Sequence, residues 1–217
     1  RQHARDRSFV NHNKVERLAG ELLSGAIPDC LSGELDAAVS HVGSLLASSS
    51  GPDVEQVRRA LGALNNDRLF PPARTLAESW IARRGFDLVV EKRLVQAMIE
   101  MDDLDGAQER LKNAVESAKA MDSQQARVEL GEYQGQEGRI AKQRFVRSND
   151  PDDLARSIQL YAARYRDCGR PYFHGINVVA LVAAQERLDP SLQPPKDLRL
   201  PALARAVLAD LKKRISN

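Results

Sequence analysis

Apolar positions recur at spacings of three and four along most of the chain, and no stretch alternates apolar with polar residues as a half-buried strand does. The first such stripe is Val15, Leu18, Ala19 and Leu22, which predicts a helix from an Asn13 cap to about Ala26, stopped by Pro28. Ser32 is the expected cap of a second helix, with Leu35, Ala38, Val39, Val42, Leu45 and Leu46 inward, and the Ser48–Gly51 run ends it. Asp53 caps a third (Val54, Val57, Ala60, Leu61, Leu64), closed by Asn65-Asn66-Asp67. Pro71 and Pro72 open a fourth through Arg84, where first-turn prolines are tolerated, and Gly85 is its expected C-cap. Asp87 begins a fifth (Leu88, Val89, Leu94, Val95, Met98, Ile99), and a short turn at 101–105 leads to a sixth ending near Ala120.

Two later segments depart from simple amphipathic patterning. Gly131, Gly135 and Gly138 recur at spacings of four and three inside a seventh helix predicted from Ser123 to about Val146. Each glycine costs a helix roughly 1 kcal/mol against alanine, so three on one face imply a neighbour approaching closely there. After an eighth helix begun by Asp150-Pro151 (Leu154, Ile158, Tyr161, Tyr165), the stretch from Pro171 to Leu188 is apolar or small on nearly every side as far as Ala184. That pattern predicts a central helix buried all round, with Ile176, Val179 and Ala183 in the core. It is short for a membrane span and contains His174 and Asn177. A proline-rich wrap over 190–201 then precedes a last amphipathic helix, Leu203 to Ile215.

Helix after helix joined by short turns predicts an all-α fold. The expected form is a tetratricopeptide-like array of antiparallel helical hairpins, about ten helices in a right-handed α-solenoid, with hairpins recurring at roughly 34–40 residues. The unit from Leu94 to Ala118 fits best, with a polar turn at Asp102-Asp103 followed by Leu104 and the small Ala107. The expected organisation is a basic arm over 1–12, a helical-repeat domain over 13–188, and a proline-rich linker with a C-terminal helix packing on the array over 189–217.

Composition narrows the function classes. Among 217 residues, 32 basic side chains nearly balance 30 acidic ones, a net charge of +2, which does not favour nucleic acid or a membrane surface as the main partner. Cys30 and Cys168 have neither metal-ligand spacing nor a disulfide framework, so a reducing cytoplasm is expected. The chain opens at Arg1, which suggests a fragment or processed product with an effector domain elsewhere.

Candidate chemistry is sparse. Cys168 and His174 lie six residues apart, but a cysteine nucleophile needs its imidazole in hydrogen-bond reach and a third group to orient it. His3, His12 and His41 have no zinc spacing. No cofactor or metal is expected. Arg139, Lys142, Arg144, Arg147, Arg156, Arg164, Arg166 and Arg170 make 139–170 locally basic, with Tyr161 and Tyr165 interleaved. One reading is a groove that stacks bases; the other buries the tyrosines and solvates the charges.

Two segments resemble a known family. Gly138 to Val146, GRIAKQRFV, resembles the GRIYK-x-x-F segment of the helical domain called TRAFs-binding in stress-activated protein kinase kinase kinases. Pro171 to Val182, PYFHGINVVALV, resembles that domain's Y-x-G-I-N-x-x-x-L segment, and Ser157 to Tyr161 falls where the family has A-I-x-x-Y. The likeness spans about 50 residues in the right order. Ala141 departs from it, standing where the kinases have an aromatic residue. Bacterial relatives look similar over more of their length, some alongside trypsin-like or caspase-like peptidase modules.

The resemblance implies a regulatory scaffold that binds protein partners and catalyses nothing. No binding residue transfers from it; Gly175 is expected at a close helix approach and Asn177 on a neighbouring backbone group. The leading expectation is thus a protein or peptide partner, such as a protease or its substrate, bound on a concave face. Gln96, Arg127, Gln134, Arg139 and Lys142 are the candidate contacts. A nucleic-acid-responsive domain using 139–170, and a fragment of an enzyme whose site lies elsewhere, are the alternatives.

Overall fold

The computed structural model describes residues 11–167, 172–191 and 194–215. Most of the 1–12 arm, together with Cys168, Arg170 and Pro171, lies outside the described residues. The described residues form ten α-helices and one short 3-10 turn, with no strand among them. The chain divides into two compact units, one ending at Asp103 and the other beginning at Leu104.

The first unit contains α1 (His12–Ser24), α2 (Ser32–Leu45), α3 (Val54–Asn66), α4 (Phe70–Arg84) and α5 (Leu88–Glu100). Here α1 packs on α2 and α3, α2 on α4, α3 on α4 and α5, and α4 on α5. Contact with both the next helix and the next but one is the pattern of stacked hairpins. The predicted stripes supply most of its core, with Leu18, Leu22, Val42, Leu61, Leu64 and Leu94 fully buried and Leu76 of α4 joining them, whereas Leu45, expected inward, is 38% exposed.

Local chemistry sets the helix ends. Asn11, not Asn13, caps α1, its Oδ1 accepting from Asn13 N at 3.0 Å, and Gly25 closes the helix at φ 93°. Ser32 is the first residue of α2 rather than its cap; the Glu34 carboxylate reaches back to Leu31 N at 3.2 Å and satisfies that end instead. Asp53 and Gln56 make a reciprocal capping box on α3, with bonds of 2.8 and 2.9 Å. Asp87 accepts from Val89 N and Val90 N at the start of α5 and also pairs with Arg58 of α3, which ties one hairpin to the next.

The second unit contains α6 (Leu104–Lys119), α7 (Gln124–Ser148), α8 (Pro151–Asp167), α9 (Tyr172–Leu188), the 3-10 turn Lys196–Leu198 and α10 (Leu200–Ile215). Each helix packs on the one that follows from α6 to α9, and α10 packs on α9. The core between α8, α9 and α10 is Leu154, Ile158, Tyr161, Ala162, Tyr165, Val178, Leu181, Val182, Leu203 and Val207. Leu198, in the proline-rich stretch, plugs into the same core, and Tyr165 donates its hydroxyl to Asp210 Oδ2 at 3.1 Å.

The expectation of a helix buried on every side fails for α9. His174, Gly175, Val178, Leu181 and Val182 are buried, but Phe173 is 57% and Ile176 47% exposed, and Ala180 is exposed with them. Ile176 is therefore not a core residue. The helices of this unit cover only part of α9, and an apolar stripe stays in solvent.

Candidate interaction surface on helices α7 and α9

The glycine face of α7 is where helices meet. A Cβ on Gly131 would fall 2.1 Å from the Arg164 guanidinium of α8, and one on Gly135 would fall 3.0 Å from His174 Cε1 of α9. Gly138 faces Leu160 and Tyr161 at 3.3 Å and lets the buried Ser157 hydroxyl donate to its carbonyl at 2.9 Å. The three glycines thus admit a guanidinium, an imidazole and a phenol ring against bare backbone. Gly175 does the same from α9, where a Cβ would meet Val207 at 2.5 Å and Tyr165 at 2.9 Å.

Polar side chains line this junction. Arg164, largely buried, pairs with Glu132 of α7 at 3.2 Å. His174 packs edge-on against Phe173 and tilted over Tyr161, with ring centroids 5.3 and 5.9 Å away. Its Nδ1 is buried with no hydrogen-bond partner among the described residues. Burial, and then the Arg164 charge, push the imidazole below its ordinary value, against a smaller upward pull from Glu132. Burial likewise pushes the Tyr161 hydroxyl up to about 12.

Lys142 continues the glycine face by a further four residues. Its ammonium donates to Asn177 Oδ1 of α9 at 2.9 Å and lies 5.9 Å from the centroid of the Tyr161 ring. Asn177 in turn donates from Nδ2 to Phe173 O at 2.9 Å, so it satisfies its own helix rather than a neighbour's backbone. Among the described residues no carboxylate pairs with Lys142. Burial, and then the positive charge of Arg139, push its ammonium below the ordinary lysine value.

Of the five residues expected to contact a partner, one lies in the first unit and four in the second. Gln96 lies on α5 in the first unit, half-buried and accepting from Asn65 and Arg93. The other four are on α7. Arg127 is exposed and pairs with Asp122 at 2.8 Å. Gln134, exposed, and Arg139 fall about 140° apart around the helix, on opposite flanks of the glycine face. Lys142 is placed directly against α9 by its bond to Asn177. Sequence reasoning missed Phe173, Ile176 and Ala180 as surface residues. One sign was available: the same stripe, continued by seven, ends on the exposed Arg187.

The base-stacking reading of 139–170 meets two obstacles. Tyr161 and Tyr165 are buried, and most of the arginines are neutralised: Arg144 by Asp105, Arg156 by Glu137, Arg164 by Glu132 and Arg166 by Asp197. Two of these pairs rim an open cavity of about 490 Å³ against α6, floored by Leu111 and Val115 and lined by residues of both charges. Among the described residues, no three His, Cys, Asp or Glu side chains converge as a metal site. No helix there is long and apolar enough to cross a membrane.

Stacked helical hairpins without strands, with a mixed apolar and cationic surface, define the class of tetratricopeptide-like repeat modules, whose general role is non-catalytic protein–protein interaction. The model of the family described as Tetratricopeptide Repeats-Sensor matches residues 34–182, and the chain belongs to that family. No curated protein and no solved structure matches the chain.

Proposed function

We propose that the chain is a non-enzymatic, cytoplasmic scaffold that binds a protein partner on the surface shared by α7 and α9 and so regulates an effector, a protease among the options. One observation carries this reading: α9 exposes Phe173, Ile176 and Ala180 within a turn of the Asn177–Lys142 bond that joins it to α7. Large apolar residues ringed by polar ones mark a surface that other proteins cover. The resemblance of Gly138–Val146 and Pro171–Val182 to the TRAFs-binding domain supports a regulatory role, and the peptidase modules beside its bacterial relatives support the choice of effector. Of the five expected contacts, this reading places Arg139 and Lys142 on the surface.

The test is a quantitative pull-down from lysate of the source cells with three baits. These are the parent chain, a Phe173→Ser/Ile176→Ser variant, and Arg127→Ala as a control in the first turn of α7, about four turns from Lys142. Proteins retained by the parent and by Arg127→Ala should be lost from the double variant. A recovered set that ignores the double substitution overturns the reading.

A further inference from the structure

We infer that the α7–α9 surface receives an amphipathic helix with an acidic edge, its apolar face on Phe173, Ile176 and Ala180 and a carboxylate on the Lys142 ammonium. This deepens the reading above and rests on it.

The apolar half of the argument is geometric. Phe173, Ile176 and Ala180 follow at spacings of three and four, an exposed row about 10 Å long on a helix rising about 1.5 Å per residue. That is the length over which a docked helix presents residues i, i+3 or i+4, and i+7. An extended segment would find no main-chain partners here. Every described element around the row is a helix whose backbone groups are bonded within it, so there is no sheet edge for a strand to join. A segment lying on the row must therefore satisfy its own backbone, which a helix does.

The charged half comes from Lys142. Its ammonium carries three donors, and the described structure supplies one neutral acceptor, Asn177 Oδ1, and the face of the Tyr161 ring. A half-buried cation without a counter-charge is poorly compensated, and the nearest charge that acts on it, Arg139, has the same sign. Glu132, an α7 carboxylate at this junction, is already engaged by Arg164. Asn177 fixes the ammonium within a turn of Phe173, because the same amide bonds Phe173 O. A carboxylate flanking the apolar face of an incoming helix would meet Lys142 there. Arg187, exposed about two turns beyond Ala180, adds a second cation of the same preference. A nucleic acid would leave the aliphatic Ile176 and Ala180 uncovered, and the buried Tyr161 and Tyr165 offer it no stacking face.

The experiment selects a displayed library of short random peptides on the full chain. Enriched peptides are then measured by fluorescence anisotropy against the parent, Lys142→Met, Lys142→Arg and Phe173→Ser, each checked for an unchanged melting curve. The expected result is enrichment of peptides with apolar residues at helical spacing flanked by Asp or Glu. Their affinity should fall by about tenfold or more in Lys142→Met, recover in Lys142→Arg and vanish in Phe173→Ser. Enriched peptides that are neutral or basic, or indifferent to Lys142→Met, while still lost in Phe173→Ser, overturn the acidic partner and leave the surface standing. No enrichment, or binding that ignores Phe173→Ser, overturns both. Single-stranded RNA that displaces the peptides, with a steep salt dependence and the same need for Lys142, also overturns the inference.

Discussion

Two glycines in helices show how much depends on what stands beside them. Gly175 faces Val207 at 2.5 Å and Tyr165 at 2.9 Å from an added Cβ, both core side chains without room to yield, whereas nothing lies within 4 Å of Gly20 in α1. Gly175→Ala should therefore destabilise by roughly 1–3 kcal/mol, while Gly20→Ala should stabilise by up to about 1 kcal/mol. Thermal melts of the pair check both signs. At His174, burial and Arg164 lower the imidazole's value in the folded state. The unfolded chain takes up that proton first as pH falls, so the stability that neutral His174 contributes is present above the ordinary histidine value. It is lost progressively from there down to the depressed folded value. The melting temperature should drop as pH falls through the ordinary histidine value of about 6.5, and His174→Gln should flatten that drop. Of these residues the sequence made the glycines legible, because their cost inside a helix demands a close neighbour. It could not say that one such neighbour is an imidazole.

At the scale of the element, α9 separates composition from burial. Its apolar run reads as a core helix, yet burial depends on how many partners arrive, and those described leave the Phe173–Ile176–Ala180 row uncovered. Ile176→Ala should cost no more than about 1 kcal/mol, within the usual range for surface changes, while Leu181→Ala on the buried side should cost roughly 2–5 kcal/mol. Chemical denaturation of the two variants separates the faces. Helix ends divide in a similar way. Asp53, Asp87 and Ser123 cap as their positions predict, since each offers a side-chain oxygen to free amides. At α1 and α2 the cap slips, because Asn11 takes the amide of Asn13 and the Glu34 carboxylate that of Leu31, so each helix starts ahead of its predicted first turn.

For the whole molecule, the helical repeat was readable because periodicity, turns and proline positions all pointed the same way. The surface was not, because Lys142 and Asn177 stand 35 residues apart and only the packing of α7 and α9 brings them to 2.9 Å. Far-UV circular dichroism should show the paired minima of helix with no strand contribution, and a spectrum with substantial strand would contradict the fold. The glycines of α7 carry a further consequence, for synthesis rather than for the finished protein. Three of them within eight residues take roughly 3 kcal/mol from the helix and leave it few side chains to hold its own turns along that face. A peptide covering 123–149 should be largely unstructured in water. On the ribosome, the same segment must then stay a loose coil until α8 and α9 have emerged behind it. The strongest amide protection in α7 should accordingly appear only in nascent chains long enough to include Val182.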